Sequence, residues 1–142
     1  MGHGYSFKCP NCKSKINLHE GVGILYHYTF ERLFFGEKPE LKEEVPKEIW
    51  EACISLMENG WKPKDYEYQI CFCPKCKTLE QYTSFTLEKD GETYTPKFIC
   101  KSCGTELQKC NPLEMDIPFS ITCAECNTTF TARPNPCVVK WD

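Results

Sequence analysis

Eight of the 12 cysteines in this 142-residue chain fall into four Cys-x-x-Cys pairs: Cys9/Cys12, Cys73/Cys76, Cys100/Cys103 and Cys123/Cys126. Two intervening residues let one tight turn set both sulfurs about 3.5–4 Å apart, as neighbouring corners of a tetrahedron around Zn²⁺ with Zn–S bonds of about 2.3 Å. Main-chain N–H groups of such a turn point at the sulfurs and share the thiolate charge. Two turns complete a closed four-cysteine site, so four turns imply two zinc ions with these eight cysteines as ligands. A closed site keeps no position for water; it supports a fold and does not activate a nucleophile. A redox pair would open a helix after a strand, and none of the four stands in that context. Pro10 and Pro74 suit the turns, and Gly104 and Asn127 follow the second cysteine, where positive φ is common. Lys13 and Lys77 occupy that position in the other two pairs, a less comfortable choice.

The other cysteines, Cys53, Cys71, Cys110 and Cys137, stand alone. Cys53 shares a helical face with Ile49 and Met57 and reads as a small buried hydrophobe. Cys71 precedes the second pair on a strand, and Cys110 and Cys137 have no neighbour at ligand spacing. The first residues carry no apolar segment of a secretory signal, and no apolar run approaches a membrane span. The expected location is therefore the cytoplasm, where thiols stay free for metal.

Along the chain, residues 5–30 read as a cysteine turn followed by strands, with Gly21-Val22-Gly23 as a turn or bulge and a helical turn over 29–35. Residues 45–59 predict the one clear helix. Pro46 and the acidic residues Glu43, Glu44 and Glu48 mark its start, Asn59-Gly60 its stop, and Ile49, Cys53, Leu56 and Met57 its apolar stripe. From Tyr66 the period becomes two, with Tyr66, Tyr68, Ile70 and Phe72 on one face. Residues 78–88 and 92–99 predict a hairpin turning at Asp90-Gly91, with Pro96 near an edge. The segment after Phe130 predicts a last strand ending in Trp141-Asp142. The expected fold is small and mainly β with one helix, of zinc-ribbon architecture with two four-cysteine zinc sites. It divides into residues 1–99, holding the helix and the hairpin, and a ribbon over 100–142.

Two of the three pairings that satisfy the cysteine count stand out. Cys9/Cys12 could join Cys73/Cys76, and Cys100/Cys103 could join Cys123/Cys126. Alternatively, Cys73/Cys76 and Cys100/Cys103 could clamp the hairpin, leaving the first and fourth pairs to meet over a long distance. Residues 71–106 resemble the ribbon of the transcription elongation factor that rescues stalled RNA polymerase. The acidic Asp-Glu pair of that ribbon's tip is missing from Glu88-Lys89-Asp90-Gly91-Glu92, so its role is not carried over. The whole chain resembles a group of small bacterial multi-knuckle zinc-ribbon proteins. The likeness rests on Met1-Gly2-His3, Gly21-Val22-Gly23, the four pairs and the ending Trp141-Asp142. The resemblance implies that the last two pairs form one ribbon, which favours the first pairing, and it implies no activity.

Hydrophobic residues make up 41% and aromatics 13%, which suits a globular chain and excludes wholesale disorder. The formal charge is −3; eight thiolates and two Zn²⁺ add about −4, for a total of about −7. That field disfavours general phosphate binding and favours a protein partner over nucleic acid. The expected function is a non-catalytic structural-zinc module for protein–protein interaction. The alternative is a nucleic-acid-binding ribbon using Lys8, Lys13 and Lys15 with Tyr5 and Phe7, or Lys97, Lys101 and Lys109. An enzyme is not expected: His3, His19 and His27 show no catalytic-zinc spacing, and His19-Glu20 with His27 is the best candidate pair.

Overall fold

A computed structural model gives the fold of residues 2–133 and 137–141, the side chains at 137 and 139–141 excepted. Met1, Asp142 and the Cys137 thiol lie outside the described residues. Two strands, β1 (Gly2–Lys8) and β2 (Lys15–Glu20), lead into three helices, α1 (Tyr26–Phe34), α2 (Leu41–Glu44) and α3 (Lys47–Glu58). Seven strands follow: β3 (Lys62–Phe72), β4 (Leu79–Lys89), β5 (Glu92–Tyr94), β6 (Gln108–Lys109), β7 (Phe119–Thr122), β8 (Thr129–Ala132) and β9 (Cys137–Trp141). They form sheets of order β2-β1-β9, β5-β4-β3-β6 and β7-β8. The β1–β9 pairing joins residues from both sides of position 99, the expected boundary between two units.

The long β3–β4 hairpin is the frame. Its register sets Tyr66 opposite Phe85, Tyr68 opposite Thr83 and Ile70 opposite Gln81, so alternate residues share a face as the period of two requires. The hairpin to β5 turns at Asp90 (φ 50) and Gly91 (φ 84), both left-handed, which matches the twist of the flanking strands. The strand expected over 92–99 stops at Tyr94, two residues before Pro96, which has no N–H for a ladder. Helix α3 begins after Pro46 and ends at Asn59 and Gly60 (φ 91), close to the expected 45–59.

Among the described residues, three helices stand where the sequence predicts one helix over 45–59 and a helical turn over 29–35. Residues 24–30, read as strand, become the entry and first turns of α1. The alternation Tyr26, Tyr28, Phe30 satisfies a strand, but Tyr26, Phe30, Leu33 and Phe34 recur at helical spacing, and only a helix turns all four toward the sheet. Tyr26 stacks on Tyr66 at 5.1 Å, and Phe34 meets Phe85 at 5.9 Å. Leu33, Phe34, Leu41, Val45, Cys53, Tyr66, Phe85 and Leu87 make this helix-on-sheet core. A separate core of Tyr5, Phe7, Leu18, Ile70, Phe72, Leu79, Phe119 and Ile121 gathers side chains from all three sheets. No helix among the described residues is long and apolar enough to cross a membrane.

Candidate metal centres

Every cysteine pair sits in a hairpin turn. Residues 9–14 join β1 to β2, 73–78 join β3 to β4, and 123–128 join β7 to β8; residues 100–105 lie inside the Ile99–Glu106 bridge. The four turns repeat the same two main-chain bonds. The first cysteine's N–H donates to the carbonyl five residues on: Cys9 to Ser14, Cys73 to Thr78, Cys100 to Thr105 and Cys123 to Thr128, at 2.8–3.0 Å. Its carbonyl accepts from the residue after the second cysteine, at 2.8–3.0 Å. That residue is left-handed in all four turns: Lys13 (φ 66), Lys77 (φ 57), Gly104 (φ 73) and Asn127 (φ 59). The two lysines, poorly suited to that region, adopt it because both turn bonds require it.

The turns meet in two groups of four cysteines whose sulfurs all lie within 4.8 Å of one another. The inner cluster joins Cys73 and Cys76 to Cys100 and Cys103; the outer cluster joins Cys9 and Cys12 to Cys123 and Cys126. This corrects the pairing favoured from the family resemblance, in which the last two pairs share a site. The ladders decide it: β6 pairs with the end of β3, Cys71 opposite Lys109 and Phe72 opposite Gln108, which sets the third turn beside the second, and the packing of Phe7 on Phe119, 5.8 Å between ring centres, sets the β1–β2 tip against the β7–β8 tip. Sulfurs from opposite turns stand 3.5 Å apart for Cys73–Cys103 and 3.6 Å for Cys9–Cys126 and Cys12–Cys123. Those separations fit the edge of a tetrahedron with metal–sulfur bonds of about 2.3 Å. Each cluster could hold one metal ion, with four sulfurs filling all its positions.

A hydroxyl two residues after the second cysteine completes three of the turns. Ser14 lies 3.2 Å from the Cys12 sulfur, Thr105 3.1 Å from Cys103 and Thr128 3.3 Å from Cys126. Donation from the Thr105 hydroxyl and N–H lowers the Cys103 thiol to about 6, and the same groups of Thr128 hold Cys126 at about 5. Ser14 lowers Cys12 likewise. Cys76 differs: its neighbour Cys103 and burial push it up to about 12. The Cys73 sulfur accepts the Cys76 N–H at 3.3 Å. These hydroxyls were not singled out from sequence, although the pattern Cys-x-x-Cys-x-Ser/Thr is present in all four turns.

Among the described residues, the isolated Cys53, Cys71 and Cys110 join neither cluster. Cys53 is buried in α3, its thiol 3.8 Å from the Met57 sulfur. Cys71 and Cys110 are near in the β3–β6 register but point to opposite faces: Cys110 donates its N–H to the Ile70 carbonyl at 2.9 Å and packs with the Ile70 core, whereas Cys71 packs with Tyr82 and Phe98. Burial pushes Cys71 up to about 11 and Cys110 to about 12.

His19 and Glu20, adjacent on β2, face opposite ways. Glu20 accepts the Tyr5 hydroxyl at 2.7 Å and lies 3.6 Å from His3, whereas His27 packs against Tyr26 on α1. The lysines divide. Lys8 stands opposite Lys15 beside the first turn, while Lys97 pairs with Glu106 at 3.8 Å and Lys109 with Glu67 at 2.8 Å. The chain matches no family model, no curated protein and no solved structure.

Proposed function

We propose that this protein is a non-catalytic binding module whose two clusters each hold a structural Zn²⁺ and whose partner is another protein. The observation that carries the reading is the donor set: two groups of four sulfurs, each closed by two hairpin turns. Such sets suit zinc, and with every position filled by protein the ion folds the chain without binding substrate. Cys9, Cys12, Cys123 and Cys126 are the ligands of one ion, and Cys73, Cys76, Cys100 and Cys103 of the other. Bound Zn²⁺ balances half of each cluster's thiolate charge, and the chain then carries about −7. A surface of that sign attracts basic protein surfaces and repels phosphate backbones. A cytoplasmic location accords with eight thiols kept free for metal.

Metal analysis of the purified chain tests this reading. Two zinc ions per chain are expected; one, three or another metal would overturn the assignment. Nucleic acid is the alternative, favoured by the Lys8–Lys15 pair with Lys13 beyond it. Polyuridine binding at low salt that falls steeply as salt rises would replace the protein-partner reading with that one.

A further inference from the structure

A cavity of about 510 Å³ opens where β2, β4 and β7 converge beside the α2–α3 joint; it adjoins the cysteine turns at Thr78, Lys101 and Thr122, but none of the eight cysteines lines it. We infer that this cavity is a docking slot for an extended segment of a partner protein, which enters as an added strand carrying lysine or arginine side chains. The inference rests on the reading of the chain as a protein-binding module and names where and what it binds.

Hydrogen-bonded and non-bonded positions alternate along an antiparallel ladder, so one bond fixes the direction of every amide in it. The Cys9 bond to Ser14 makes Asn17 and His19 non-bonded positions whose main chain faces away from β1. His19 agrees, its N–H donating to the Gln81 side-chain oxygen at 2.7 Å. The Cys123 bond to Thr128 likewise turns Ser120 and Thr122 away from β8. Ser120 gives its N–H to the Lys77 carbonyl at 2.8 Å, and Thr122 lies beyond it along the edge. The Cys73 bond to Thr78 turns Gln81 away from β3.

On that outer edge, among the described residues, β4 meets β7 at Thr78 and β5 only from Leu87 onward. The helices cover part of the gap: Glu44 accepts the Thr83 hydroxyl at 2.5 Å, and Ile49 packs against both faces near it. The stretch from Thr78 to Tyr82 is left lining the cavity. Edge backbone at Asn17, Gln81 and Thr122 therefore converges on one space, and a strand edge is a template for an added strand.

The side chains select the occupant. Leu18, Val45, Leu79 and Ile121 give the cavity a buried apolar floor. Its rim holds Glu43, Glu44 and Glu80 against one cation, Lys101. An extended segment alternates its side chains, so apolar residues meet the floor while basic ones meet the carboxylates. A phosphate backbone meets repulsion at the same rim.

The test titrates the zinc-loaded full chain at low salt with a fluorescein-labelled decapeptide of alternating valine and lysine. Anisotropy is expected to give a Kd below about 100 µM, with amide shift changes at Asn17, Gln81 and Thr122. A valine–glutamate peptide, and the valine–lysine peptide N-methylated at alternate residues, should bind at least about tenfold more weakly. Thr122→Pro removes an outward N–H but no bond of the β7–β8 ladder, and Glu43→Lys reverses rim charge; each should weaken binding about tenfold with two zinc ions retained. No binding at about 1 mM, equal binding of the N-methylated peptide, or unaltered binding by both variants would overturn the inference. Polyuridine perturbing the same amides, or a dimer of the free chain protecting them, would assign the slot to another occupant and overturn it as well. Fewer than two zinc ions per chain would overturn the binding-module reading, whereas lost peptide binding with two ions retained overturns this inference alone.

Discussion

The N–H of Ser120 donates to the carbonyl of Lys77 at 2.8 Å, tying the strand that enters the outer cysteine cluster to a turn of the inner one. Cys73 and Cys103 are 30 residues apart, whereas Cys9 and Cys126 are 117 apart. Loop closure over those lengths favours the inner cluster by about eightfold. With rising chelator, the outer ion is therefore expected to leave first. Cys100→Ser should also weaken the outer cluster, by about fivefold for the lost anchor. Coupling is reciprocal, so Cys126→Ser should weaken the inner ion by a similar factor while leaving it bound. Metal release followed with a colorimetric chelator checks the order; simultaneous loss in the parent, or an unaltered outer cluster in Cys100→Ser, would refute it.

The hydroxyls beside the second cysteines make a second prediction. Thr105→Val removes the donor 3.1 Å from the Cys103 sulfur and leaves a side chain of similar shape. A hydrogen bond to a charged group contributes about 1.5–3 kcal/mol, so zinc should be held at least about tenfold more weakly at the inner cluster. Thr78→Val, in the turn where Cys76 stands raised rather than lowered, should cost less. Chelator competition on the two variants separates these values. Equal losses would mean that the hydroxyls serve only the turns.

The parts legible in the sequence are local ones. Asp90-Gly91 specifies its hairpin because two adjacent left-handed residues are needed there, and Pro46 and Asn59-Gly60 bracket α3 because each sets its own backbone angles. The eight cysteines stand out because a turn of fixed length must place both sulfurs. Which turns face one another is different. All four have the same internal spacing, so the choice rests on contacts such as Phe7 on Phe119, more than 100 residues apart in the chain. Helix α1 was hidden for a related reason: Tyr26, Tyr28 and Phe30 fit a strand, and only the sheet face of Tyr66 and Phe85 makes the helical set the better one.

Burial pushes the Cys53 thiol up to about 11, so the folded chain keeps it neutral where the unfolded chain, with a thiol pKa of about 8.5, ionises it. A pKa raised on folding leaves stability whole below the unfolded value and removes it as pH climbs to the folded one. The melting temperature should accordingly fall between about pH 8.5 and pH 11. Cys53→Ala should lose stability at pH 7, from the small cavity left beside Met57, yet show a flatter decline over the alkaline window. Parallel pH profiles for parent and variant would show that Cys53 takes no part in the decline.

Lys77 and Lys13 hold left-handed backbone at φ 57 and 66, a region that costs a residue with a Cβ about 1 kcal/mol or more. Lys77→Gly relieves that strain and keeps the carbonyl that Ser120 uses, so it should stabilise the metal-bound chain by about 0.5–1 kcal/mol after the entropy of the added glycine. Lys13→Gly should gain less, because Lys13 Nζ donates to the Pro10 carbonyl at 3.0 Å and that bond is lost. The converse change is Gly104→Ala. A Cβ there meets nothing within 4 Å, so its cost is conformational alone, about 1 kcal/mol at φ 73. Denaturant melts of the three variants at fixed zinc concentration read these differences. A destabilised Lys77→Gly would show that the lysine side chain, rather than its backbone, is what that turn needs.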